Sequence, residues 1–120
     1  MAIPSGLFGP FDLTAQVIDA RIPFSLPGAY LLGPAEPLNP GAVIPRYAGR
    51  SDDDVAARLK RHVGAYPKFL YDTFPTALLA FEKECGLYHT FNPPDNIVHP
   101  ARPQGTRLKC PWPGCTALFY

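Results

Sequence analysis

Sixteen prolines and ten glycines, spread along a chain of 120 residues, restrict this sequence more than any other feature. Proline removes a backbone donor and clashes with the preceding turn, so long helices are excluded from most of the chain. Two stretches still carry helix signals. Ser51 and Asp54 have capping-box spacing, with aspartate in place of the usual glutamate. Asp52, Asp53 and Asp54 crowd the first turn, where the helix dipole favours acids, so they read as a helix start and not as metal ligands. Val55, Leu59 and Val63 mark its apolar face, and Gly64 ends it. Pro75 and Thr76 open a second helix, from Ala77 to Leu87, with Leu78, Phe81, Cys85 and Tyr88 along one stripe.

Strand signals fill the space around these helices. Gly28–Leu32 is apolar enough to lie centrally in a sheet. Gly33–Ala42 has loop chemistry, and Val43–Gly49 resumes as a strand with Pro45 at its start or on an edge. Lys68–Phe74 is the third strand. The order predicts an α+β domain over residues 27–100, a small three-stranded antiparallel sheet flanked by helices. A loop-rich extension, 1–26, precedes it, with a short strand or helical turn near Leu13–Ile18. A proline-rich tail, 101–120, follows and carries a cysteine pair.

Several classes are excluded at this stage. No apolar run approaches the ~20 residues that cross a bilayer as a helix. Met1–Pro10 lack the basic start and apolar stretch of a signal peptide, so a soluble, cytoplasmic protein is expected, with signal-independent secretion left open. The net charge is only +1, yet Arg46, Arg50, Arg58, Lys60, Arg61 and Lys68 face three aspartates over residues 46–68, a local balance of +3. Local patches of that kind suffice for phosphate binding, although most are ordinary solvated surface.

Chemistry-bearing residues can be set on this frame. A Gly-x-Tyr on the first strand and a Tyr-x-Gly on the second bring Tyr30 and Tyr47 toward one face of a hairpin. Arg58 and His62, four apart, share one side of the first helix. On the second helix Glu82 lies at the edge of the buried stripe, while Lys83 and Glu84 face outward. A carboxylate at that edge needs a partner, and a divalent cation is one candidate.

In order, Gly28-Ala29-Tyr30, Tyr47-Ala48-Gly49-Arg50-Ser51, Arg58-Leu59-x-x-His62, Glu82 and Pro93-x-x-Asn96 resemble the GIY-YIG nuclease family over roughly residues 27–96. Alanine holds both middle positions where the family prefers a β-branched residue, the hairpin loop is unusually rich in proline, and Asn92 competes with Asn96. The resemblance implies an endonuclease acting on DNA, with RNA as the other possible substrate, in restriction, repair, mobile-element or toxin-like biology. It implies that Tyr30 or Tyr47 activates water or positions phosphate, and that Arg58 neutralises the phosphate. Glu82 would hold one divalent ion, Mg²⁺ or Mn²⁺, His62 would orient or deprotonate a tyrosine, and Asn96 would brace the site. Gly28, Gly49 and Arg50 would support it. The competing function is a binding or interaction module that keeps the fold without catalysis.

The tail carries a second motif. Cys110-Pro-Trp-Pro-Gly-Cys115 followed by Phe119 resembles the opening knuckle of a two-cysteine, two-histidine zinc finger. No His-x-x-x-His follows, so Zn²⁺ at Cys110 and Cys115 requires His89 or His99 to fold back, or a second chain. The alternative is a pair of thiols in a kinked tail.

Overall fold

The computed structural model describes residues 5–117, and Phe119 lies outside them. The elements are β1 (Phe8–Asp12), α1 (Ala15–Arg21), β2 (Gly28–Gly33), β3 (Ala35–Glu36), β4 (Asn39–Val43), β5 (Tyr47–Ser51), α2 (Val55–Lys60), β6 (Lys68–Thr73) and α3 (Ala77–Phe91). An antiparallel sheet has the order β1-β6-β2-β5, and β3 and β4 make a separate two-stranded ribbon. The fold is α+β, but its main sheet has four strands where three were expected. The fourth is β1, from the segment read as an extension. Pro10 sits where its register slips, between Phe8 and Phe11, on an edge that tolerates a missing donor. α1 follows, and Ile18 and Ile22 are buried, so this segment is built into the sheet and its core.

β2 is the centre of the fold, buried along its whole length. Alternation sends Tyr30 and Leu32 to one face, where Ile18, Ile22, Val55, Leu59 and Phe69 complete a core under α1 and α2. Ala29 and Leu31 point to the other face and pack with Ala48, Leu70 and Leu87 beneath α3. Pro45 separates β4 from β5 instead of opening a continuous strand. The amides on either side of it, Ile44 and Arg46, bond to the Pro34 and Leu32 carbonyls.

The helix expected from Ser51 onward, α2, is shorter than its sequence signals. Asp54 is the cap, accepting the Ala57 amide at 3.1 Å. Ser51 ends β5, and its Oγ accepts the amides of Asp53 and Asp54. At the far end the amides of Arg61, His62 and Val63 bond three residues back, tightening the chain into a turn. Val55 and Leu59 are buried as expected, whereas Val63 is 43% exposed. α3 is longer than expected. Thr76 caps it, and Asn92, at φ 46°, closes it in the left-handed region before Pro93 and Pro94. Residues 92–117 contain no helix or strand. Among the described residues no helix is long and apolar enough to cross a membrane.

Candidate active site

The hairpin register explains how two tyrosines meet. Tyr30 pairs with Gly49 and Leu32 with Tyr47, so both phenols rise from one face of neighbouring strands. Their ring centroids are 6.4 Å apart. A Cβ on residue 49 would lie 2.5 Å from the Tyr30 Oη, so only glycine lets that ring cross β5. The turn after α2 delivers His62, whose Nε2 is 3.0 Å from the Tyr30 Oη. The His62 ring lies 5.2 Å from Tyr47, and Tyr66 stacks on Tyr47 from farther out, at 6.4 Å.

The second half of the site comes round the edge of the sheet. β5 is an edge strand, and α3 packs beside it. Asn96 pairs with the exposed backbone of that edge: its Oδ1 accepts the Ala48 amide at 2.8 Å, and its Nδ2 donates to the Ala48 carbonyl at 2.9 Å. Asn96 thus fixes the residue between Tyr47 and Gly49, while Asn92 is the cap of α3. Asp95 extends the clip, accepting from Arg46 and from Tyr66. Tyr66 and Asp95 carry no local sequence signal, because they meet across two separate loops, one between α2 and β6 and one after α3.

These elements enclose a polar hollow of about 190 Å³, lined by Tyr30, Tyr47, Gly49, Arg50, Asp52, Arg58, Glu84 and Ala101. Two carboxylates line it, the exposed Asp52 and the buried Glu84, and Glu82 is not among them. Residues two apart on a helix point roughly 200° from each other, so one faces the hollow and the other turns away. The buried stripe of α3 is Ala80, Phe81, Glu84, Cys85 and Leu87. It is rotated from the one expected, because Leu78 and Leu79 are about 40% exposed despite being apolar. Spacing around Phe81 and Cys85 was the available signal: Glu84 lies between them and Leu87. Arg58 and Glu82 do not pair with each other among the described residues. Gly28 stands where a Cβ would meet the Asp72 carbonyl at 2.6 Å and Val55 at 2.8 Å, which lets α2 dock against the strand.

Arg50 is the hub of the inner wall. Its Nη1 donates to Glu84 Oε1 at 2.8 Å and to the Ala101 carbonyl at 2.5 Å. Its Nε donates to Asp52 at 2.6 Å, and the guanidinium lies over the Phe81 ring. With those donors engaged, Arg50 is a structural cation more than a reaching one. Arg58 is different: it is exposed, lines the hollow and forms no ion pair among the described residues.

Burial sets the charge states. It holds the Tyr30 hydroxyl far above the usual phenol range, with neighbouring Tyr47 adding to the effect and Arg58 opposing it. Tyr47 is raised for the same reason, with Glu84 contributing. Burial lowers His62, and the positive charges of Arg58 and Arg61 lower it further. Tyr30 is therefore protonated and His62 neutral, and in the tautomer with its proton on Nδ1 the imidazole accepts the phenol proton at Nε2. Burial lifts the Glu84 carboxyl to about 7, and the pull of Arg50 toward the ionised form only partly opposes it. A neutral phenol–imidazole pair, an open guanidinium and a carboxyl poised near neutrality share one small space.

A larger, mainly apolar hollow of about 640 Å³, lined by residues including Leu7, Leu31, Val43, Leu70 and Phe91, contains Glu36 as its one ionisable side chain among the described residues. It offers no pair of groups for catalysis. Elsewhere, His89, His99, Cys110 and Cys115 bring one ligand atom each to within 4.8 Å of one another, an arrangement able to hold a metal ion. Both histidines do fold back onto the tail. The chain matches no protein-family model, no curated protein and no solved structure.

Proposed function

We propose that the chain is a metal-dependent endonuclease of the GIY-YIG type, hydrolysing phosphodiester bonds in DNA at the hollow beside β5. The observation that carries this reading is the convergence of Tyr30, Tyr47, Arg58 and Glu84 on that hollow, from four elements spread over more than fifty residues, with His62 behind Tyr30 at hydrogen-bond distance. A binding module has no need of a buried, near-neutral carboxyl beside a phenol–imidazole pair.

Each group has a task set by its surroundings. Arg58, exposed and unpaired with any acid among the described residues, meets the non-bridging oxygens and offsets the charge that grows on them. The Tyr30 oxygen can accept a proton from an attacking water while its own proton passes to His62 Nε2, so no free phenolate is needed. Tyr47, stacked on Tyr66 and in tilted contact with His62, orients the water or the phosphate. The bond from phosphorus to the leaving oxygen breaks as the water oxygen adds, and solvent returns a proton to the departing alkoxide.

Glu84 is the buried carboxylate of the hollow, with Asp52 on the same wall, and would hold a divalent ion. Its carboxyl lines a polar hollow with room for the ion and its waters, and magnesium commonly takes one or two protein carboxylates and keeps several waters. A magnesium or manganese ion held by Glu84 would supply Lewis-acid stabilisation of the charge that grows on the phosphate.

Incubation of the purified chain with supercoiled plasmid and Mg²⁺ or Mn²⁺ tests the proposal. Nicked and linear products are expected from the wild type, and Arg58→Ala should cut at least about 100-fold more slowly. Equal cutting by the two proteins would overturn the site. Failure to cut any DNA or RNA would leave a non-catalytic binding module on the same fold.

A further inference from the structure

The four-ligand cluster lies outside the catalytic hollow and has its own geometry. A tetrahedral zinc ion, with Zn–S near 2.3 Å and Zn–N near 2.0–2.1 Å, sets a bound sulfur and nitrogen about 3.6 Å apart. Cys110 Sγ lies 3.3 Å from His89 Nε2, and Cys115 Sγ lies 3.5 Å from His99 Nε2. The His99 Nδ1–H donates to the Pro100 carbonyl at 2.9 Å, which leaves the lone pair on Nε2, the atom facing the sulfurs. A ligand histidine is commonly fixed by such a bond from its other nitrogen.

The surrounding residues hold the ligands in place. The two cysteines enclose four residues, a spacing found in zinc knuckles. Cys115 donates its amide to the Trp112 carbonyl at 3.2 Å, and Gly114, at φ +81°, turns the loop. Trp112 lies nearly parallel to the His89 ring at 5.2 Å. Tyr88 sets its edge against both imidazoles. The cysteines form no disulfide, and thiolate with imidazole is a set that selects zinc over magnesium.

We propose that His89, His99, Cys110 and Cys115 bind one Zn²⁺ in a closed, structural Cys2His2 site that fastens the C-terminal tail to α3 and braces the wall of the catalytic hollow. Two thiol protons pass to solvent as zinc binds, so two thiolates balance the charge of the ion. All four positions are filled by the protein, which leaves none for substrate or water. The site joins three pieces of chain: the last turn of α3, the segment around His99, and the tail. Ala101, two residues beyond His99, receives the Arg50 hydrogen bond and lines the hollow. Asn96, three residues before it, clips β5. Residues 92–117 have no helix or strand to hold them, so metal binding would supply much of their folding free energy.

Elemental analysis of the full chain, purified from zinc-supplemented culture, reads the proposal directly. One zinc per chain is expected, lost in Cys110→Ser/Cys115→Ser and in His99→Ala, and retained in Cys85→Ser, whose buried thiol adjoins Cys110 but is no ligand. Zinc no higher in the wild type than in the double serine variant would overturn it, as would stoichiometric iron or copper. Because those variants can misfold, a second measurement uses the wild type alone. Cobalt added to metal-stripped protein should give tetrahedral d–d bands and a thiolate charge-transfer band, and their absence refutes the site. Neither readout depends on nuclease activity, so an inactive protein would leave this result standing.

Discussion

Replacing Glu84 with glutamine removes a charge while keeping the size of the side chain and an oxygen for Arg50. Glu84 is 8% exposed, and burial raises its carboxyl from 4.5 to about 7. A rise of that size makes the ionised form about 3 kcal/mol costlier in the fold than in the unfolded chain. Between those two values the folded protein binds more protons than the unfolded one. The wild-type stability is therefore full at low pH and declines as pH rises through about 7. The glutamine does not titrate. Relative to the wild type, Glu84→Gln should gain up to about 3 kcal/mol between roughly pH 5 and pH 8 when no magnesium or manganese is added. Any fixed cost of leaving Arg50 beside a neutral partner shifts both ends equally and leaves that slope intact. Urea unfolding of both proteins across this range, followed by circular dichroism, measures the difference. Magnesium should restore wild-type stability at the alkaline end and do nothing for the variant. A difference that stays constant with pH would refute a buried, titrating carboxyl at this position.

Other substitutions test separate parts of the site. Gly49→Ala puts a methyl group 2.5 Å from the Tyr30 Oη, so it should destabilise the fold by about 1–3 kcal/mol in thermal melts and lower cleavage by displacing the phenol. Asn96→Ala strips two hydrogen bonds from the β5 edge, at a cost of about 1–3 kcal/mol, and hydrogen exchange at Ala48 should rise. The folded pKa of His62 lies below its ordinary 6.5, so its contribution to stability is present above that value and lost as pH falls through the folded pKa. His62→Gln should remove that acid-side loss in unfolding experiments and also flatten the acid limb of the cleavage profile.

How much of this the sequence revealed depends on the distance over which each signal acts. Tyr30, Tyr47 and Gly49 were legible because hairpin register places them, and Arg58 because it lies within a single helical turn of the buried Val55 and Leu59. Glu84 was missed through helix phase. Leu78 looked like core and is exposed, which turned the inferred stripe and pushed the acid two residues early. β1 was hidden by Pro10, which argues against a strand unless the strand lies on an edge. The metal cluster lay beyond any local pattern. His89 stands 21 residues and His99 16 residues from its cysteine contact, and only the fold-back of a proline-rich segment unites them.

One comparison reaches the centre of the matter: plasmid cleavage in magnesium by the wild type, Glu82→Gln and Glu84→Gln. If the buried acid in the hollow beside β5 serves phosphodiester hydrolysis, Glu82→Gln cuts like the wild type and Glu84→Gln barely cuts at all. Full activity in Glu84→Gln, or loss confined to Glu82→Gln, would contradict the assignment of the site.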